Sequence, residues 1–131
     1  AMTAAETGHL VFATLHTSSA SKTINRVIDV FPGEEKSMIR SMLSGSLQAV
    51  IAQTLLKRKG GGRVVALEIM LCNAAIRSLI REDKIAQMYS TIQTGKSFGM
   101  QTLDQHLTQL VHENSIARET AREVAVNKDL F

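Results

Sequence analysis

The nine residues His9–Thr17, HLVFATLHT, constrain the fold more than any other stretch of the chain. Leu10, Val11, Phe12 and Ala13 form an unbroken apolar run, rich in strand formers and too short for a helix. Such a run reads as a strand buried on both faces, as in a parallel sheet covered by helices. Parallel neighbours require crossover connections of a dozen or more residues. Downstream, the sequence offers one local hairpin pattern followed only by helical ones. The neighbours are therefore expected upstream of Ala1, and the chain is expected to be the C-terminal part of a longer α/β protein.

A core here has to be made of Leu, Ile, Val, Met and Ala, because 44% of the 131 residues are hydrophobic but only 4% are aromatic. That palette favours packed helices, since Leu, Met and Ala lose little on entering one. The formal charge of +3 is mild. Its cations are dispersed and few aromatics are available for base stacking, which argues against nucleic-acid binding. Cys72 is the single cysteine, which excludes an internal disulfide and a cysteine-based zinc site. Lying in EIMLCN, it reads as a buried core thiol. No apolar stretch approaches the roughly 18 residues of a membrane span, and no signal-peptide pattern opens the chain. A soluble, cytoplasmic chain without direct membrane insertion is the expectation.

The first residues, AMTAAET, read as the last turns of a helix that Gly8 ends. Ser18 or Ser19 can cap a second helix carrying Ala20, Ile24, Val27, Ile28 and Phe31 at helical spacing, broken by Pro32. Glu34 and Glu35 favour the start of a third, with Met38, Ile39, Met42, Leu43, Leu47, Val50 and Ile51 as its core face to about Gln53. The glycines 60–62 separate two strand-like segments and predict a hairpin with a flexible tip, its second arm placing Val65, Leu67, Ile69 and Leu71 on one face. No Lys-Ser/Thr follows these glycines and no helix opens behind them, so they are no phosphate loop. Asn73 can cap AAIRSLIRE, which buries Ile76, Leu79 and Ile80. A further stripe runs through Ile85, Met88, Tyr89 and Ile92 to Gly95. Thr102 and Gln105 form a capping box before Leu103, Leu107, Leu110 and Val111, and Ser115 can start a last helix through Ala117, Ala121 and Val124.

His9 and His16 bracket the apolar run. On an extended strand an offset of seven points them to opposite faces, about 23 Å apart at roughly 3.3 Å per residue, so they cannot share a metal ion. No nucleophile elbow of the G-x-S-x-G type is present. His106 and His112, six apart on a helix, read as solvent-exposed. His16 is the better placed, at the carboxyl end of the expected strand and just before a helix N-terminus, where ligands bind in open α/β sheets. With Thr17, Ser18 and the free N–H groups of that helix it suits an anion such as phosphate.

TAAETGHLVFATLHTSSASKTINRVIDVFP closely resembles the His-box region of the type II/IV secretion ATPase family. AIRSLIRE, Ala75–Glu82, resembles a motif of the branch that powers type IV pilus retraction and twitching motility. GGGRVVALEIML, REDKIAQMYSTIQTG and GMQTLDQHL match the same branch, in order along the whole chain. The resemblance implies the C-terminal part of a RecA-like P-loop ATPase domain: one buried strand, a β-hairpin and a mostly helical subdomain. It divides the chain into 1–31, His-box strand and following helix, and 32–131, hairpin and helical subdomain. It implies a homohexameric motor that uses ATP and Mg²⁺, lies peripherally beneath the inner membrane and turns a pilus platform protein there.

By the same resemblance His16 is the catalytic, γ-phosphate-facing histidine. His9, Thr14 and Thr17 join it as nucleotide-site residues, and Ala75, Ile76, Arg77, Ser78, Leu79, Ile80, Arg81 and Glu82 form a coupling element. Arg77 and Arg81, at i and i+4, are compatible with an interface, with Glu82 as counter-charge. The phosphate loop G-x-x-x-x-G-K-[ST] and the acidic boxes of the family are absent from these residues, so the chain alone is expected to be inactive. The alternatives are a pilus-extension or type II secretion ATPase of the same family, or a non-catalytic helical interaction module.

Overall fold

Most of the architecture follows from local signals read in series. The computed structural model describes residues 1–131. Two short helices open it, α1 (Met2–Glu6) and α2 (Ala20–Asp29), followed by α3 (Lys36–Ser46). Strands β1 (Ala49–Lys57) and β2 (Arg63–Leu71) come next, then α4 (Ala74–Arg81), α5 (Met88–Gln93), α6 (Leu103–His112) and α7 (Arg118–Val124). Gly8, at φ +99°, turns the chain out of α1, a conformation that costs glycine little. The Ser19 hydroxyl caps α2 by accepting the Lys22 N–H at 3.1 Å, Asn73 caps α4 through the Ile76 N–H at 3.0 Å, and Thr102 with Gln105 closes the capping box of α6. The last helix begins at Arg118, without a side-chain cap, rather than at Ser115.

β1 and β2 pair antiparallel from Ala49 opposite Leu71 to Lys57 opposite Arg63. Gly60, Gly61 and Gly62 all have positive φ at the tip, where a side chain would be strained. The sheet holds these two strands alone, extended on the outer edge of β2 by a single bridge from Ile69 to Gln101. Two apolar clusters share its inner face. One joins α2, α3, α4 and α5 to Val50 and Met70. The other joins α6, α7 and Phe131 to Leu56 and Ala66. Glu68 lies between Ala66 and Met70 on the same face of β2 and is 3% exposed.

Three expectations are corrected. The strand over His9–Thr17 is not formed: no backbone–backbone hydrogen bond involves residues 10–18, and Leu10 and Phe12 are 81% and 88% exposed. A strand exists only through its ladder, and neither edge of the two-stranded sheet reaches this segment. The helix expected to run to Gln53 stops at Ser46, where Leu47 turns extended at ψ 132°. Val50 and Ile51 then belong to β1, because nine cross-strand pairs outweigh the helical spacing of two apolar residues. The inner face of β2 is Ala66, Glu68 and Met70, while Val65, Leu67, Ile69 and Leu71 are half-buried on the other face. Both faces carry apolar residues, so the pattern could not say which one the helices cover.

Candidate functional site

His16 does lie beside a helix N-terminus. With Thr17 and Ser18 from the loop, and Lys22, Asn25, Arg26 and Asp29 from α2, it lines an open depression of about 390 Å³ that contains no hydrophobic side chain. The Thr17 and Thr23 hydroxyls are 2.6 Å apart, which pins the loop to the first turn of the helix. Thr23 also donates to the Ser19 carbonyl at 2.8 Å, and Lys22 Nζ donates to Ser18 Oγ at 3.3 Å. Asp29 is paired with Lys36 at 3.2 Å, so the remaining charge of the lining is that of Lys22 and Arg26. The imidazole, hydroxyl, ammonium, amide and guanidinium here form a set of donors suited to an oxyanion.

The backbone amides contribute less than the sequence reading expects. The Ala20 N–H donates to Glu68 Oε1 at 2.9 Å, the Lys22 N–H is taken by Ser19 Oγ, and the Thr23 N–H by the Ser19 carbonyl. Only the Ser21 N–H of the first turn is left without a partner, so the donors this depression offers are mainly side chains.

The other sequence-predicted residues separate from His16. The His9 ring folds back on α1, with Nδ1 3.2 Å from the Ala4 carbonyl oxygen and 3.4 Å from Thr7 Oγ1. Thr14 is exposed and makes no hydrogen bond. In the octapeptide, Ile76 and Ile80 are buried and Leu79 packs beside them, while Ala75 and Arg81 face solvent and Ser78 is half-buried. Arg77 does not join Arg81 in an exposed pair. Its Nη1 donates to the Ser44 carbonyl at 2.7 Å, one of the last four of α3, which lack partners inside their own helix. Glu82 pairs with Lys84 at 3.5 Å and with neither arginine. Arg81 is thus the exposed, unpaired cation of the motif.

Sequence reasoning missed several residues. Lys22, Asn25, Arg26 and Asp29 recur at i, i+3, i+4 and i+7, a polar stripe opposite the buried one that could have been read from the same periodicity. His106 is not solvent-exposed: its Nδ1 accepts the Leu67 N–H on β2 at 2.8 Å, which places its proton on Nε2 when the ring is neutral. Asp104, 3% exposed, accepts the Val126 and Asn127 N–H groups, each at 2.9 Å, and holds the C-terminal segment. Cys72 is buried as expected; burial pushes its thiol up to about 11, with the Arg77 guanidinium opposing the rise.

Residues 1–127 match the family model described as Type II/IV secretion system protein. The chain belongs to that family. It is 70% identical over 125 residues to the type IV pilus retraction ATPase PilT of Pseudomonas aeruginosa, covering 95% of this chain and 36% of that protein. It is 58% identical over 130 residues to a twitching motility protein of Neisseria gonorrhoeae, covering 98% of this chain and 35% of that one. The crystal structure of the pilus retraction motor PilT with bound ADP superposes with a TM-score of 0.88 at 45% identity, over 99% of this chain and 36% of that chain. The ATPase DotB of Legionella pneumophila shares the fold at 23% identity, over 94% of this chain and 33% of its own, with a TM-score of 0.79. The chain spans about a third of the length of these relatives. Its α/β class, with an antiparallel hairpin and several helices, agrees with the expected architecture.

Proposed function

We propose that this chain is the C-terminal part of a homohexameric ATPase motor that retracts type IV pili, and that His16 is its nucleotide sensor. The observation that carries the reading is the 70% identity, over nearly the whole chain, to a protein named as that ATPase. The depression agrees with it chemically: a polyphosphate needs donors and positive charge, which His16, Lys22, Arg26 and the Ser18 hydroxyl supply. A neutral His16 ring donates one N–H to a γ-phosphate oxygen. When that phosphate leaves, the donor is unpartnered, and the Thr17–Thr23 bond passes the change to α2. Thr17 acts as this support, and His9 and Thr14 complete the nucleotide site as members of the same box.

Mg²⁺ does not fit the residues present here. Asp29 is the one carboxylate of the lining and is already paired with Lys36. The ion and the phosphate loop belong to other parts of the proposed motor. In this reading residues 1–31 form the sensor end and residues 32–131 the hairpin and helical part. Ala75–Glu82 is the coupling element, with Arg81 as its contact residue. The motor works peripherally beneath the inner membrane on a pilus platform protein. No helix of the chain is long and apolar enough to cross a membrane.

The test is ATP turnover by these 131 residues beside a longer polypeptide that adds the upstream phosphate-loop region. The expected result is turnover by the longer chain alone. Turnover by the 131 residues themselves overturns the sensor reading, because it requires a complete site within them. In the longer chain His16→Ala is expected to lower kcat more than nucleotide affinity; an equal loss of both reduces His16 to a plain binding residue.

A further inference from the structure

Two helices begin on the same carboxylate. Ala20, the first residue of α2, donates its N–H to Glu68 Oε1 at 2.9 Å, and Leu103, the first residue of α6, donates its N–H to Oε2 at 3.2 Å. Glu68 is 3% exposed and is in no salt bridge. A buried, uncompensated carboxylate is costly, and here the compensation is the partial positive charge of two helix N-termini, roughly half a unit each. The amides it takes are among those that a helix cannot satisfy internally. Glu68 also occupies the boundary between the two apolar clusters, one holding α2 and the other α6.

The chain enters α2 directly from His16, Thr17, Ser18 and Ser19, so whatever fixes the Ala20 amide fixes the rim of the His16 depression. We infer that Glu68 is a positioning residue for that depression: it anchors the start of α2 and ties it to α6, so that movement of the sensor loop is transmitted to the C-terminal helices. For its consequence the inference rests on the nucleotide reading above. The clasp itself stands on the two hydrogen bonds.

The experiment has two arms. In the unsubstituted chain, scalar couplings across the hydrogen bonds, from the Ala20 and Leu103 amide nitrogens to the Glu68 carboxylate carbon, are expected by NMR. Absence of both overturns the clasp without any variant having to fold. In Glu68→Gln one oxygen becomes an NH₂ that faces an amide donor. Amide exchange at Ala20 or Leu103 should then quicken at least about tenfold, the equivalent of one lost charge-assisted hydrogen bond. In the longer ATPase polypeptide Glu68→Gln should lower kcat at least about fivefold, about 1 kcal/mol of barrier, with nucleotide Kd changed less than twofold.

The control is Asp104→Asn, which disturbs a different buried carboxylate, the one in α6 that holds the C-terminal segment, and at a temperature where both variants are folded it should leave kcat unchanged. If Asp104→Asn slows turnover as much as Glu68→Gln does, Glu68 acts through general stability and the positioning role is refuted. An unsubstituted longer chain without turnover refutes the motor reading and the transmission built on it, while the NMR arm still decides the clasp.

Discussion

The octapeptide Ala75–Glu82 contains two arginines with opposite surroundings, and they should fail in opposite ways. Arg77 is half-buried and donates to the Ser44 carbonyl at 2.7 Å, at the C-terminal end of α3. A hydrogen bond from a charged group contributes about 1.5–3 kcal/mol, and a cation at a helix C-terminus adds roughly 0.3–1. Partial exposure argues for the lower part of that range, so Arg77→Ala should cost about 2 kcal/mol. With an m-value of about 2 kcal/mol/M in urea, that is a midpoint lowered by about 1 M at unchanged slope. Arg81 is exposed and makes no hydrogen bond or ion pair, so Arg81→Ala should stay within about 0.5 kcal/mol. In the proposed motor Arg81→Ala should instead uncouple retraction from ATP turnover. Urea unfolding of both variants is the assay. A loss below about 0.5 kcal/mol for Arg77→Ala, or equal losses for the two, would refute the inward role assigned to Arg77.

Two further outcomes follow from buried groups. Asp104→Asn replaces one of two 2.9 Å acceptors by a donor facing an N–H; it should cost about 2–4 kcal/mol and lower Tm by roughly 10 °C in a calorimetric scan, and a shift under about 3 °C would contradict it. The Cys72 thiol, raised by burial from 9.0 to about 11, stays protonated in the folded chain while an unfolded thiol ionises. Its linkage therefore leaves stability unaffected below about pH 9, and stability falls as pH rises toward 11. Cys72→Ala should flatten that part of the alkaline unfolding curve, and rapid alkylation of the native thiol at pH 8 would contradict the burial.

How much of this was legible in the sequence depended on the range of the interaction concerned. Helix starts at Asn73 and Thr102, the turn at Gly8 and the glycine tip of the hairpin all rest on contacts within about five residues and are readable from spacing alone, and the start of α2 is readable to within one residue, Ser18 or Ser19. The same holds for the buried stripes of α2, α4 and α6, which repeat at the helical period. Sequence similarity carried the family, because its motifs run in order along nearly the whole chain. The end of α3 was not legible, since Val50 and Ile51 suit either a helix face or a strand until the partner strand chooses. Nor could the inner face of β2 be read, because it carries Glu68 between apolar neighbours and its worth comes from two amides 48 and 35 residues away. Arg77 reached α3 across 33 residues and His106 reached β2 across 39. The apolar run 10–13 shows the same limit from the other side: its composition is that of a buried strand, but only a neighbouring strand can supply the ladder that makes it one. Local free energies are written in adjacent residues, whereas the partner of a buried polar group is chosen by the packing that brings distant segments together.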